Sequence, residues 1–381
     1  MKFRSDLPEK DLVAILQLVG FIALLFFSIS LSAQEKKTGS KIETNNPMKV
    51  MPKGENPVWG QNIDPQMLAV IEQFKAFEMP DPTSLTGFQL RNGKTPAAAV
   101  MAILAKTGMK AKEPKVDISH KHLMAGPEEG IMTRVYTPIA QKSGEKLPVI
   151  VYYHGGGWVI ADLDTYEASA KAISAQANAI VVSVAYRQAP ENPFPAAHDD
   201  AFAAYKYVTE HIDEFGGDVN NIAIAGESAG GNLAVATAIR ARDEKVKMPV
   251  HILSVYPIAD GDTESESYDK YNNALPLSRP FMEWFFDNYK SDWMTTQEDK
   301  ISIVDANLKG LPATTIVNAE IDPLESEGGE LAEKLKAAGV DVERELYEGV
   351  THEFFGMAAV LEQAVEAQKF AVDRMKKSFK K

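Results

Sequence analysis

The hydropathy pattern along the chain changes character three times. Residues 12–31, LVAILQLVGFIALLFFSISL, form one apolar run with a single glutamine and no charge. Residues 34–62 are rich in Lys, Asn, Pro and Gly, show no apolar period and read as a linker. Over 64–79, Met67, Val70, Ile71, Phe74 and Phe77 recur at helical spacing. Asp64 offers an N-cap, Pro65 suits the first turn, and Pro80 is expected to end the helix. A second helix is expected from Pro96 to Thr107, capped by Thr95 and stopped by Gly108.

From residue 114 strands alternate with helices. KVDISHKHLM (115–124) and IMTRVYTP (131–138) read as a strand pair. Further strands are expected at 147–154, 179–186, 221–226, 251–257, 313–320 and 342–349. Helices are expected at 165–177, 196–214, 228–242, 278–291, 324–338 and 357–377. This alternation predicts an α/β protein with a mostly parallel central sheet and helices on both faces. The two amphipathic helices ahead of it need an apolar surface to cover. They form an N-terminal helical cap, either as decoration of the core or as a lid over an apolar pocket.

Composition narrows the chemistry. The 381 residues include no cysteine, which excludes disulfides, a thiol nucleophile, iron–sulfur clusters and Cys-ligated zinc. The net charge of −13, from 40 basic and 53 acidic side chains, repels phosphate backbones and anionic membrane surfaces. No nucleic-acid partner is expected, and no metal or organic cofactor. A homodimer is compatible with the sequence.

The apolar run at 12–31 admits competing readings. Lys2 and Arg4 precede it, and Ser30-Leu31-Ser32-Ala33 closes it, as in a secretory signal cleaved after Ala33. Asp6, Glu9 and Asp11 weaken the basic leader, and about 20 apolar residues also suffice for an uncleaved anchor. An internal helix is the third reading. Export with cleavage is the expectation, leaving no stable membrane contact. Membrane anchoring is the alternative. The organisation expected is a leader at 1–33, a linker at 34–62, a helical cap at 63–112 and a catalytic domain at 113–381, with a second cap segment near 263–290.

Three constellations carry candidate chemistry. Gly226-Glu227-Ser228-Ala229-Gly230 is the one G-x-S-x-G in the chain, placed between a strand and a helix. There a sharp turn can hold the serine in a strained conformation, with glycines relieving the crowding. An ordinary Gly-rich turn with a helix-capping serine is the bland alternative. His154-Gly155-Gly156-Gly157-Trp158 follows a strand directly. Its glycines leave backbone N–H groups accessible, as a developing oxyanion requires. A phosphate loop would carry lysine where Trp158 stands. His154 itself reads as a residue that orders this loop. A serine nucleophile needs a base and an orienting acid. Among the seven histidines, His352 alone follows a later strand with an acid between it and the serine. Asp322, just past the strand at 313–320, is the preferred acid, with Glu320, Glu325 and Glu327 as rivals.

HGGGW, GESAGG, DPL and HEFFGM, in this order, resemble the bacterial hormone-sensitive-lipase-like branch of the α/β-hydrolases. Tyr186-Arg187-Gln188-Ala189-Pro190-Glu191 is similar to another signature of that family. The resemblance spans roughly residues 60–375. It implies an α/β-hydrolase fold, carboxylesterase activity and N-terminal helices that cap the acyl pocket. Gln188 stands where leucine is common, Ala161 where glycine is common, Ser326 where aspartate is common, and Glu227 replaces the commoner aspartate. The resemblance implies that Ser228 attacks a small to medium acyl ester, His352 is the base and Asp322 holds its tautomer. It assigns the oxyanion hole to Gly155, Gly156, Gly157 and Ala229, with Gly155 shaping the loop and Glu227 supporting the site from behind. Amide cleavage, longer-chain lipids and a non-catalytic small-molecule binding role on the same fold remain as alternatives. Phe281, Trp284 and Phe285 are candidates for the acyl pocket or for ordinary core packing.

Overall fold

The structure, a computed structural model, describes residues 50–139, 144, 146–290 and 301–380. The expected leader at 1–33 lies outside them. Among the described residues no helix is long and apolar enough to cross a membrane.

Among the described residues, eight strands form one sheet: β1 (Val116–Leu123), β2 (Ile131–Pro138), β3 (Leu147–Tyr153), β4 (Ile180–Val184), β5 (Gly217–Glu227), β6 (His251–Val255), β7 (Ala313–Ile321) and β8 (Val342–Thr351). Their order is β1-β2-β4-β3-β5-β6-β7-β8. Pairing is antiparallel at β1–β2 and β2–β4, and parallel from β4 through β8. Parallel neighbours require crossovers, and the helices supply them. The helices are α1 (Pro65–Lys75), α2 (Gly87–Arg91), α3 (Pro96–Thr107), α4 (Glu167–Ala177), α5 (Ala196–Glu210), α6 (Ala229–Asp243), α7 (Glu266–Lys270), α8 (Arg279–Tyr289), α9 (Glu325–Ala337) and α10 (Glu362–Ser378).

Side chains alternate across β3 and thereby feed two cores. Val149, Val151 and Tyr153 enter the core covered by α5, α6, α8 and α9. Ile150 and Tyr152 enter the other, covered by α1, α3, α4 and α10. Burying a strand on both faces explains why 147–153 reads as a continuous apolar run.

The cap helices bury their stripes in the second core: Met67, Val70 and Ile71 from α1, and Ala99, Val100 and Ile103 from α3. Fully burying a side chain the size of Met, Val or Ile contributes about 1.5–3 kcal/mol. Asp64 caps α1 through Gln66 and Met67 N–H at 2.7 and 3.1 Å. Gly108, at φ 70, ends α3 where expected. The first helix, however, stops at Lys75 rather than running to 79. Phe77 and Glu78 N–H turn back to Phe74 and Lys75 carbonyls, and Glu78 takes φ 50, so the chain leaves the helix before Pro80.

The expected linker does not extend to residue 62. Val50 is buried, the backbone N–H of Lys53 and Gly54 donate to Glu72, and Asn62 Nδ2 donates to Glu320 at 2.7 Å. Residues 50–62 are therefore fastened to the domain. The five-residue helices α2 and α7 were not among the expected elements, being too short to display a period.

Candidate active site

The site lies at the carboxyl ends of the parallel strands, where an open α/β sheet leaves a crevice. Between β5 and α6 stands Ser228, with φ 57 and ψ −121, a conformation that side-chain-bearing residues rarely adopt. Its neighbours explain the spaced glycines. A Cβ on Gly226 would meet the Gly230 carbonyl at 2.0 Å, and a Cβ on Gly230 would meet the Tyr153 carbonyl at 2.0 Å. The turn is pinned by Ser228 N–H donating to Val255 O at 2.8 Å.

Asp322 immediately follows β7, and His352 immediately follows β8. His352 Nδ1 is 2.6 Å from Asp322 Oδ2, and its Nε2 is 2.9 Å from Ser228 Oγ. A carboxylate oxygen accepts, so Nδ1 carries the proton and Nε2 is free to accept from the hydroxyl. Relative exposures of 4%, 3% and 0% for Ser228, His352 and Asp322 keep water from competing for these bonds. The other Asp322 oxygen accepts Leu324 N–H at 3.0 Å, which fixes the carboxylate plane. Burial pulls the His352 pKa down. The charge and hydrogen bond of Asp322, aided by Glu353 and Glu227, outweigh that pull and raise it above the ordinary histidine value.

The rival acids are engaged elsewhere. Glu320 accepts from Asn62 and Gly349, Glu325 pairs with Arg344, and Glu327 accepts Ala259 N–H at 2.9 Å.

The loop after β3 faces the same serine. Gly156 and Gly157 take φ 98 and 57, and a Cβ on Gly157 would lie 2.2 Å from the Phe285 ring. Their N–H groups donate to no protein acceptor among the described residues. Ala229 is the first residue of α6, so its N–H has no partner within the helix. His154 does not join the serine. Its Nδ1–H donates to the Gly155 carbonyl at 2.8 Å, its ring stacks on Tyr186 at 4.3 Å, and burial holds its pKa down at about 4. A neutral, fixed His154 orders the glycine loop. Glu227 does not line the cavity and accepts hydrogen bonds from the Tyr152 and Tyr256 hydroxyls. The Tyr256 ring in turn packs 4.5 Å from the His352 imidazole.

Comparison with known proteins agrees with this geometry. A family model described as the alpha/beta hydrolase fold matches residues 150–356. The chain belongs to the hormone-sensitive-lipase-like family of α/β-hydrolase carboxylesterases. It is 36% identical over 311 residues to carboxylesterase NlhH of Mycobacterium tuberculosis, covering 80% of this chain and 93% of that one. It is 32% identical to the carboxylic ester hydrolase LipN of the same organism, over 78% of each chain. A hyperthermophilic esterase from the archaeon Pyrobaculum calidifontis superposes with a TM-score of 0.75 at 33% identity, covering 83% of this chain and 98% of that one. The protein is a carboxylic ester hydrolase.

In this esterase Ser228, His352, Gly156 and Gly157 open onto a cavity of about 370 Å³. Its apolar wall comes from Phe74, Met79 and Leu90 on one side and Leu277, Phe281 and Phe285 on the other. Phe281 and Phe285 are buried and line the cavity as well, so pocket and core are one surface, while half-buried Trp284 does not line it. The N-terminal segment contributes to the cavity wall chiefly through the end of α1 and residues 78–96. Helix α3 contributes only Pro96 to the wall. Arg91 fastens this segment: its guanidinium donates to Val159 O and Ala189 O, both at 2.8 Å, and pairs with Glu191.

Two departures from the family pattern compensate each other. Ala161 sits at φ 64, and Gln188 Nε2 donates to the carbonyls of Ile160 and Ala161 at 2.7 and 3.0 Å. The amide holds in place a backbone conformation that alanine disfavours. Ser326 and Ser267 exchange backbone-to-hydroxyl bonds of 3.1 and 3.2 Å, tying α7 to the segment after Asp322. Among the cavity residues that sequence reasoning passed over are Tyr166 and Glu353. The signal for Glu353 was its place directly after the histidine.

Proposed function

We propose that this esterase cleaves small to medium acyl esters by acyl transfer through Ser228, His352 and Asp322. Ser228 Oγ attacks the ester carbonyl as His352 Nε2 takes its proton. Asp322 holds the tautomer and stabilises the imidazolium. The backbone N–H groups of Gly156, Gly157 and Ala229 receive the tetrahedral oxyanion, with Gly155 shaping the loop. His352 then protonates the departing alcohol, and a water molecule repeats the sequence on the acyl-enzyme.

The observation that carries this reading is the pair of contacts at 2.9 and 2.6 Å through one buried imidazole. The substrate range rests on the cavity: about 370 Å³ is toward the small end for ligand pockets, and its wall is mostly apolar. The test is a chromogenic ester series from about two to sixteen carbons, run on wild type and Ser228→Ala. Activity should peak at short to medium chains. Ser228→Ala should fold and lose kcat by on the order of 10³ or more. A tenth of wild-type activity in that variant would refute the assignment of Ser228. A peak at the longest chains would overturn the substrate range.

A further inference from the structure

Directly after His352 the backbone turns left-handed, with Glu353 at φ 72 and ψ 2. Glycine, asparagine and aspartate are the usual occupants of that region, and a glutamate is kept there only when its surroundings over-determine it. The Glu353 carboxylate accepts the Tyr166 hydroxyl hydrogen bond from a segment 187 residues away. That hydroxyl lies against the glycine loop, since a Cβ on Gly155 would approach it to 2.2 Å. Tyr166 and Glu353 line the cavity together with Ser228 and His352. The contact therefore bridges the loop that offers oxyanion donors and the loop that carries the base.

Several elements present ionisable groups to His352. Asp322 comes from the segment after β7, and Glu227 from the end of β5. Tyr256 follows β6 and packs on the imidazole, while Tyr152 of β3 and Tyr166 ahead of α4 hold the two glutamates. Of the carboxylates facing the imidazole, only Glu353 also lines the cavity among the described residues.

Resting on the triad reading above, we propose that Glu353, held by Tyr166, is a positioning residue that locks the base loop to the oxyanion loop and sets a second carboxylate beside the His352 imidazole. Burial pushes the Glu353 carboxyl pKa up, while the neighbouring His352 and the Tyr166 hydroxyl pull it back. The backbone cost is the trace of this role. Glycine would hold the turn without strain, yet it could supply neither the bridge nor the charge.

The test measures kcat/KM against pH for a short-chain ester in wild type, Glu353→Gln and Glu353→Gly. The glycine variant keeps the left-handed turn, so a folded comparison is secured. Removing a negative charge beside an imidazolium lowers its pKa. The acidic limb of both variants should therefore move to lower pH by about half a unit or more. Tyr166→Phe, which leaves Glu353 in place but cuts the bridge, should shift the limb in the same direction by a smaller amount. An acidic limb that coincides with wild type in both Glu353 variants overturns the proposal, and so does a loss of activity by one factor at every pH. Ser228→Ala run in parallel separates the two readings. If it stays inactive while the limbs coincide, the triad stands and the role of Glu353 falls. If it keeps activity, the triad reading itself fails.

Discussion

At the scale of single residues, the site is a case of burial forcing specificity. Asp322 is wholly buried with both oxygens engaged, one by His352 and one by Leu324 N–H. Asp322→Asn would present an amide to Nδ1, favour the wrong tautomer and leave Nε2 protonated toward Ser228. A loss of about 10⁴ in kcat is expected, by analogy with serine proteases. Glu320→Gln and Glu325→Gln, whose carboxylates are bonded elsewhere, should cost far less, and steady-state kinetics on the three variants would expose a reversed ranking. Glu227 also acts on stability. Burial pushes its carboxyl up to about 7, while the two phenols pull it back. A carboxyl raised on folding binds more protons in the native state than in the unfolded chain. Its stabilising contribution is therefore complete below the ordinary value of 4.5 and is lost as pH rises through about 7. The whole swing amounts to about 3 kcal/mol. Glu227→Gln should flatten the fall in unfolding free energy between pH 5 and pH 8, measured by urea denaturation. Equal slopes in variant and wild type would clear Glu227 of that role.

At the scale of elements, one arginine ties the cover over the cavity to two other segments. Arg91 of α2 reaches the carbonyls of Val159 and Ala189, the segments following the glycine loop and β4. Its ion pair with half-exposed Glu191 contributes little, because solvent screens it. Arg91→Ala should loosen residues 78–96 over the pocket while α1 and α3 stay buried. KM for apolar esters should rise several-fold with a smaller change in kcat, and an unchanged KM would mean that the cover is held elsewhere. The same elements show what the sequence could disclose. Helix α3 was legible to the residue, because Thr95, Pro96 and Gly108 mark its ends by local chemistry. Helix α1 was overrun, because the spacing of Phe77 continues a period that the backbone abandons at Glu78. Strand β5 starts at Gly217, four residues before the expected start at 221, since Leu147 pairs with Gly217 across a register shift that polar side chains do not advertise. That Ser228, Asp322 and His352 would meet was legible because each sits in a motif at a strand end. The Tyr166–Glu353 bridge was not, because it joins positions 187 residues apart and nothing in the sequence around Tyr166 points to Glu353.

At the scale of the whole molecule, the remaining question is what the N-terminal residues contribute. Every residue of the proposed site lies between Gly155 and His352, far beyond the apolar run in sequence. A leader that is cut off would therefore remove nothing that the chemistry uses. The apolar run at 12–31, followed at once by Ser32 and Ala33, supports export with cleavage after Ala33. A chain without cysteine needs no oxidative step after export, and its net charge of −13 disfavours lingering on anionic bilayers. Mass spectrometry of the enzyme from its native host should accordingly find an N-terminus at or near Gln34, in the soluble exported fraction. A version beginning at Gln34, produced without the leader, should match the specific activity of the native enzyme on short-chain esters. Intact Met1 on membrane-bound enzyme would place the run in the bilayer as an anchor. Lower activity in the shortened version would give residues 1–33 a part in folding or catalysis that a disposable leader does not have.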